Sequence, residues 1–222
     1  MIMPLSVRLW CEVINMINEL AKRYPSLEIC REDIISATEA IIRCYENKGK
    51  LLLCGNGGSA ADCEHISGEL MKGFLKKRPL SVQKKTEMAK NYSELDDFIF
   101  DGLQGGLPAI SLPSLTSFNT AFINDADPRL VYAQAIIALA NKDDVLMAIS
   151  TSGNSENIVC AVKTAKALGL TVIALTGKNG GRLKEISDIS ICIPEEETYK
   201  IQELHQPVYH CICGEIEKKF FD

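Results

Sequence analysis

Residues 51–70 read LLLCGNGGSAADCEHISGEL, an apolar run that breaks into glycines and continues with helical periodicity. The apolar run is continuous instead of alternating, which is typical of a strand buried on both faces of a parallel sheet. The glycines allow positive φ and close backbone approach, and Ser59 can cap the helix that follows. This stretch therefore predicts a strand, a tight loop and a helix, the unit from which open α/β sheets are built.

The same alternation continues to the end of the chain. Apolar runs predict five strands, at residues 50–54, 108–112, 144–149, 171–175 and 189–193. Helical periodicity predicts helices at residues 5–24, 31–47, 59–72, 128–141, 155–169, 182–187 and 200–220. We therefore expect residues 1–222 to form one α/β domain, a doubly wound three-layer α/β/α sandwich with a five-stranded parallel sheet and an amino-terminal helical element at 1–48.

One segment interrupts this alternation. Residues 73–107 separate a predicted helix from the next strand and carry mixed charge with weak helical periodicity. A connection of this length is usually an insertion with its own helix or a mobile flap. We interpret it as a surface excursion, and the basic run at 76–78 within it as a solvated loop.

Composition narrows the class of protein. The net charge is -5, which argues against a nucleic-acid partner that relies on a broad basic surface. Apolar runs fall short of the roughly 18 residues of a membrane span, so a membrane partner is not expected. The nine cysteines are odd in number and lack a CxxC pair, which is typical of buried thiols in a cytoplasmic protein.

A second loop, residues 150–155, reads STSGNS between a predicted strand and a helix. Its four hydroxyls lie directly before a helix amino terminus, where backbone donors and the helix dipole favour an anion. The alternative is a helix cap with spare serines, but a cap needs only one hydroxyl. The loop therefore favours binding of a phosphate monoester. The GNGGS loop matches neither the dinucleotide fingerprint nor the P-loop.

The chain has three histidines, all in two predicted helices. His65 and Glu69 are four residues apart, so they project from one helix face. Gln202 and His210 are eight residues apart, about 80° after two full turns, and can share a side. Such a set can surround a zinc-like ion or act as acid and base, although a lone His/Glu pair is more often a surface hydrogen bond. His205 lies on another bearing, and we interpret it as structural.

Four motifs occur in order along the chain: CGNGGSAADCEHISGEL, ISTSGNSENIV, VIALTGKNGG and IQELHQPVYH. Together they resemble the sugar isomerase (SIS) domain family, and within it the phosphoheptose isomerases, which interconvert sedoheptulose 7-phosphate and D-glycero-D-manno-heptose 7-phosphate. The resemblance covers about residues 35–220 apart from the insertion at 73–107. It implies a flavodoxin-like fold, an enediol reaction on a phosphorylated sugar, and a homotetramer with active sites at subunit interfaces.

Position by position, the resemblance also implies functional residues. The phosphate-binding residues are Ser150, Thr151, Ser152 and Ser155. The other substrate-binding residues are Asn56, Gly57, Gly58, Ser59, Asn124, Asp125 and Gln202. The implied zinc ligands are His65, Glu69, Gln202 and His210. Glu69 and His210 are also the implied catalytic proton-transfer pair.

Two departures from the family pattern bear on the substrate. Tyr199 stands where some heptose isomerases have an acidic residue, and the insertion at 73–107 has no counterpart in the shorter enzymes. An isomerase or lyase acting on another phosphosugar is therefore one alternative. A non-catalytic relative is the other, such as a phosphosugar-sensing regulator or a factor that binds the replication initiator. Retention of all four ligand positions favours an enzyme.

Overall fold

A computed structural model describes residues 14–222. These residues form five strands and ten α-helices. The strands are β1 (Leu51–Gly55), β2 (Ala109–Ser111), β3 (Val145–Ser150), β4 (Thr171–Thr176) and β5 (Ile189–Cys192). The helices are α1 (Ile14–Arg23), α2 (Arg31–Glu46), α3 (Gly58–Met71), α4 (Val82–Asn91), α5 (Asp97–Gly102), α6 (Thr116–Asp125), α7 (Val131–Leu139), α8 (Glu156–Ala167), α9 (Gly181–Ile186) and α10 (Thr198–Phe221). Short 3-10 helices lie at Pro25–Cys30, Leu112–Ser114 and Pro128–Leu130.

The strands form one parallel sheet in the order β2-β1-β3-β4-β5. This is the flavodoxin-like order, and it confirms the predicted doubly wound fold. Each residue of β1 is buried, as its continuous apolar run predicted. The strand order reverses between β1 and β3, where Gly55 pairs with Ile149 at the carboxyl ends. Ligands of open α/β sheets bind in the crevice at such a point.

Helices cover both faces of the sheet. Alternate residues of β1 separate into two apolar clusters: Leu51 and Leu53 pack with α1, α2, α3 and α10, whereas Leu52 and Cys54 pack with α7, α8 and α9. Burial of one leucine side chain contributes about 1.5–3 kcal/mol to folding. The three layers therefore have a continuous apolar interface on each side of the sheet.

Two helical features differ from the sequence-based expectation. Helix α6 was not predicted, and the predicted helix at 128–141 is a 3-10 turn followed by the shorter α7. In the predicted helix at 5–24, residues 5–13 lie outside the described part of the chain. The remainder is α1. Across residues 14–222, no helix is both long and apolar enough to cross a membrane.

The segment at 73–107 contains two short helices, α4 and α5. Every residue of these helices is at least partly exposed. Side chains cap both: Ser81 accepts a hydrogen bond from the Lys84 amide, and Asp96 accepts one from the Ile99 amide. Local capping therefore supports these helices where burial does not.

The base of this segment corrects the interpretation of residues 76–78 as a solvated loop. Lys76 is exposed and paired with Asp222, but the Arg78 side chain is 0% exposed. Arg78 donates to Glu217 Oε1 at 2.7 Å and to the carbonyl oxygens of Leu70 and Glu69 at 2.7 and 3.0 Å. A buried guanidinium requires such partners. Arg78 thus ties the segment to α10 and to the end of α3.

Candidate active site

A pocket of about 270 Å³ opens between the carboxyl ends of β1 and β3. Three segments line it: the loop after β1, the loop after β3 and the first turns of α10. The lining residues are Asn56, Gly57, Gly58, Ser59, Ile149, Ser150, Thr151, Ser155, Thr198 and Gln202. Eight of the eleven residues implied in substrate binding therefore meet at the crevice.

The loop after β1 depends on two glycines. Gly57 has φ +55°, a left-handed conformation that favours glycine. At Gly58 a Cβ would lie 2.5 Å from Gln202 Nε2, so the absence of a side chain lets the glutamine amide reach the loop. Helix α3 begins at Gly58 after a Gly57 cap, and Ser59 lies buried in its first turn. The expectation that Ser59 caps this helix is therefore wrong.

Hydroxyls at the end of β3 gather before α8. Ser150 Oγ and Ser155 Oγ lie 3.3 Å apart. Ser155 precedes α8, but within the described residues its side chain makes no capping hydrogen bond. The alternative of a serine cap thus finds no support at this position. Ser152 differs from the others: its Oγ accepts a hydrogen bond from the Asn154 amide, and it is not among the pocket-lining residues of the described chain.

Helices α3 and α10 both begin at this pocket and pack against each other. His65 lies seven residues beyond Gly58, about 10 Å along the axis of α3. Its Nε2 is 3.2 Å from Glu69 Oε1 and 3.3 Å from His210 Nε2. The imidazoles of His65 and His210 and the carboxylate of Glu69 therefore converge about 10 Å along α3 from the start of that helix at the pocket.

Neighbouring groups set the charge of this cluster. Burial and then the charge of His65 lower the pKa of His210, which favours a neutral imidazole. Glu69 Oε2 accepts a hydrogen bond from Lys72 Nζ at 3.1 Å. On the other side of His65, burial raises the pKa of Asp62, although a hydrogen bond from Tyr209 opposes this rise. A neutral imidazole beside a carboxylate can transfer protons near neutral pH.

Comparison with known proteins identifies the family. The model of the SIS domain family matches residues 16–95 and 104–177, more than half of the chain. The chain belongs to the SIS-domain family. It is 40% identical to a phosphoheptose isomerase from Methylibium petroleiphilum, over 86% of this chain and 84% of that protein. It is 38% identical to a phosphoheptose isomerase from Helicobacter pylori, over 88% of each chain.

Solved structures agree with these sequence relatives. The phosphoheptose isomerase from Neisseria gonorrhoeae has a TM-score of 0.69 and 33% identity, over 96% of this chain and 99% of that one. The chain is thus an SIS-domain enzyme of the phosphoheptose isomerase branch, as its motifs indicated.

The zinc ion that the resemblance to phosphoheptose isomerases implies requires nitrogen, sulfur or oxygen donors. Among residues 14–222, no group of three or more histidine, cysteine, aspartate and glutamate side chains already has metal-binding geometry. The converging atoms are nevertheless zinc donors in kind, namely the Nε2 atoms of His65 and His210 and the Glu69 carboxylate. Gln202 lies apart from them against Gly58. The donor chemistry of these three side chains fits zinc, and the side-chain oxygen of Gln202 would complete the implied set.

The remaining residues implied by the family lie outside this arrangement. Asn124 donates to Asp125 Oδ1 at 2.8 Å at the end of α6, and both are exposed. Tyr199 is 56% exposed beside Lys200. His205 is fully buried with Nε2 3.4 Å from the Thr176 carbonyl oxygen, as expected of a structural histidine.

Sequence reasoning missed two residues of this SIS site. Asn157 and Asn56 exchange hydrogen bonds at 2.8 and 2.9 Å, which joins the loop after β1 to α8. Thr198 lines the pocket from the first turn of α10. Asn157 lies within a recognised motif, but its role depends on a partner 101 residues away.

Proposed function

We propose that this phosphoheptose isomerase converts sedoheptulose 7-phosphate into D-glycero-D-manno-heptose 7-phosphate through an enediol. One observation carries the proposal: the hydroxyl pocket and the acid–base cluster lie on the same two helices, about 10 Å apart along α3. An extended sugar with a phosphate at one end can bridge these two positions. A phosphate-binding protein without catalysis has no need of the second position.

The phosphate end is held by the loop after β3. Ser150, Thr151 and Ser155 present hydroxyls to the pocket, and the amino terminus of α8 adds the helix dipole. Hydrogen bonds to charged groups contribute about 1.5–3 kcal/mol each. Three such bonds account for binding of the phosphate without a lysine or arginine.

The reacting end lies at His65, Glu69 and His210. Glu69 takes the proton from C1 of the ketose, and the electrons of the C–H bond form the C1–C2 double bond of the enediol. The single N–H of the neutral His210 imidazole gives its proton to the C2 carbonyl oxygen, which leaves that nitrogen ready to take a proton back. Glu69 then returns its proton to C2 while His210 takes the O1 proton, which restores both residues and leaves the aldose.

Zinc is part of the proposal, with His65, Glu69, Gln202 and His210 as its ligands. When bound, it would supply Lewis-acid stabilisation of negative charge on the sugar oxygens. The chain's own residues orient the sugar: Gln202 reaches from the pocket side, and the hydroxyl loop fixes the opposite end. Ligation and proton transfer compete for the same lone pairs of Glu69 and His210.

A homotetramer with active sites at subunit interfaces belongs to the same proposal. A second pocket of about 290 Å³ between α1 and α10 has His210 in its lining, so a neighbouring subunit that filled this pocket would contact the reacting end of the site. Glu19, Arg23 and Glu203 give that pocket a charged lining. Light scattering coupled to gel filtration measures the mass of the assembly. A cytoplasmic location is proposed from the free, mostly buried cysteines of the described chain.

A substrate panel tests the function. Purified, metal-analysed protein is incubated with sedoheptulose 7-phosphate, unphosphorylated sedoheptulose and an amino-sugar phosphate, and products are separated by anion-exchange chromatography. We expect conversion of sedoheptulose 7-phosphate only. Conversion of another phosphosugar alone would overturn the substrate. A silent panel with measurable phosphosugar binding would favour a non-catalytic SIS protein.

A further inference from the structure

Tyr209 bridges two residues of α3 from the neighbouring helix α10. Its hydroxyl oxygen is 3.0 Å from His65 Nδ1 and 3.3 Å from Asp62 Oδ1. The tyrosine is 2% exposed, and its ring meets the His65 ring edge to face with centroids 5.5 Å apart. The phenol therefore has a fixed position on the side of His65 that faces away from Glu69.

The protons of Tyr209 and His65 can be arranged in two ways along the hydrogen bonds that join Asp62, Tyr209 and His65. Each arrangement corresponds to one tautomer of His65, and so these are two solutions. A phenol has one proton, and an ionised carboxylate only accepts. When Tyr209 donates to Asp62, it accepts from His65 Nδ1–H, and His65 Nε2 carries a lone pair. When Tyr209 donates to His65 Nδ1, the Nε2 atom carries the proton and donates to Glu69 Oε1 instead.

Asp62 decides between these solutions. Its Oδ2 is buried and has no hydrogen-bond partner among residues 14–222, so the phenol is the side-chain donor available to this carboxylate. Withdrawing that donor would leave a partly buried carboxylate without a hydrogen-bond donor, which is costly. Glu69 has a second donor, because Lys72 Nζ lies 3.1 Å from its other oxygen. The first solution therefore leaves neither carboxylate without a donor, and His210 Nε2–H, 3.3 Å away, can donate to the lone pair on His65 Nε2.

We propose that Tyr209 is a positioning residue that, together with Asp62, holds His65 in the Nδ1–H tautomer, which leaves the Nε2 lone pair free to accept a hydrogen bond from His210 Nε2–H or to bind a metal ion. A histidine that ligates a metal or receives a proton through Nε2 requires this tautomer, and its other nitrogen commonly donates to a second group. The value of the arrangement to the enzyme rests on the proposed function. The tautomer itself is a property of the chain and is measurable without substrate.

The first test reads the tautomer directly. The full chain is labelled with ¹⁵N-histidine, stripped of metal with a chelator, and examined by long-range ¹H–¹⁵N correlation spectra. The chain has only three histidines, so His205→Gln and His210→Gln assign the signals. We expect wild-type His65 to show a protonated Nδ1, and Tyr209→Phe to move the proton to Nε2. Asp62→Asn should cause the same shift, because an amide can donate to the phenol.

Tyr45→Phe is the matched control. Tyr45 is also a buried tyrosine, but its hydroxyl has no hydrogen-bond partner among the described residues. This variant should leave the His65 spectrum unchanged. An unchanged Nδ1–H signal in both Tyr209→Phe and Asp62→Asn would overturn the proposal. Two variants guard against the case in which one of them fails to fold.

The second test measures zinc affinity by competition with a chromophoric chelator, and the kinetic constants. Loss of a residue that orients a ligating histidine typically weakens metal binding or activity 10- to 100-fold. We expect Tyr209→Phe to weaken zinc binding and lower kcat by about this factor, while KM stays within about 2-fold because the phosphate pocket is remote. Equal zinc affinity and kcat would contradict the assignment.

The outcomes separate this proposal from the proposed function. A tautomer shift in the variants, with a wild-type protein that isomerises no phosphosugar, supports the role of Tyr209 and contradicts the function. If the wild-type enzyme is active but the tautomer does not shift in the variants, the proposed function is supported and the role of Tyr209 is contradicted.

Discussion

Replacing Arg78 with methionine should destabilise the protein more than any change to its exposed ion pairs. The side chains of Arg78 and Glu217 are 0% and 1% exposed. Methionine keeps much of the apolar stem but removes the donors to Glu217, Leu70 and Glu69. It also removes the cation above the Phe221 ring, whose centroid is 4.6 Å away.

The expected loss in the free energy of unfolding depends on the hydrogen bonds that Glu217 keeps after the substitution. Breaking a buried ion pair by removing one partner typically costs about 3–5 kcal/mol. Glu217 keeps hydrogen bonds from the amides of Phe74 and Leu75, both at 2.8 Å, which reduces the loss. We therefore expect the free energy of unfolding to fall by about 3 kcal/mol, a large share of the roughly 5–15 kcal/mol typical of a folded protein.

The assay is urea unfolding at pH 7 followed by circular dichroism. Lys76→Met is the matched control, because Lys76 pairs with Asp222 where the side chains are 47% and 38% exposed. Such a pair contributes less than about 1 kcal/mol. Adding Glu217→Gln to Arg78→Met should recover part of the loss, since no charge is then left unpaired. A loss for Arg78→Met as small as that for Lys76→Met would refute the reasoning.

The same pair predicts an acid response. Burial alone would raise the pKa of Glu217, but the Phe74 and Leu75 amides and the Arg78 guanidinium outweigh it and lower the pKa below its ordinary value of 4.5. The unfolded chain then binds the proton more readily than the folded one. The stabilisation is present above pH 4.5 and is lost as the pH falls through the lower folded value. Unfolding curves below pH 4.5 should show a shallower decline in Arg78→Met.

Three further predictions concern single residues. Burial lowers the pKa of His205 from 6.5 to about 4, so between these pH values the unfolded chain binds a proton that the folded chain does not. The free energy of unfolding should therefore fall by up to about 3 kcal/mol from pH 6.5 to pH 4. His205→Gln should flatten this pH dependence in urea unfolding curves, and an unchanged dependence would contradict the prediction. Gly58→Ala places a Cβ against the Gln202 amide and should raise KM for the phosphosugar at least about 10-fold, whereas an unchanged KM would show that Gln202 moves freely. Ser155→Ala should raise KM about 10- to 100-fold by removing one hydrogen bond to the phosphate, with little change in melting temperature; equal KM would remove Ser155 from the phosphate site.

The fold could be predicted because the strands are buried on both faces. Leu51–Gly55 and Val145–Ser150 are continuous apolar runs that are followed by a glycine-containing loop and then by a segment with helical periodicity. In that context such a run indicates a strand of a parallel sheet. Helix α6, which sequence reasoning missed, lacks this signal, and so do α4 and α5, for which it gave a possible helix in the insertion but no bounds. No residue of α6 is buried in the part of the chain that the structure describes. Helices α4 and α5 depend on local caps instead of an apolar face.

The candidate site was predictable where its residues belong to local motifs. The glycine loop and the hydroxyl loop each precede a helix, so their meeting at adjacent strand ends follows from the topology. Contacts between distant segments carried no such signal. Arg78 is buried by Glu217, which is 139 residues away, and Tyr209 reaches His65 across 144 residues. Pairings of this kind depend on how α3 and α10 pack.

Entry of solvent deuterium into the sugar tests the central claim most directly, because enediol chemistry at Glu69 exchanges the proton on the carbon next to the carbonyl. Wild-type protein, Glu69→Gln and the control Glu64→Gln are incubated with sedoheptulose 7-phosphate in deuterated buffer and followed by NMR. Glu64 lies on the same helix but is exposed and bonded to Ser114. We predict exchange in the wild type and in Glu64→Gln, and a rate about 100- to 10,000-fold lower in Glu69→Gln. Isomerisation without deuterium entry, or exchange in Glu69→Gln at the wild-type rate, would contradict the account.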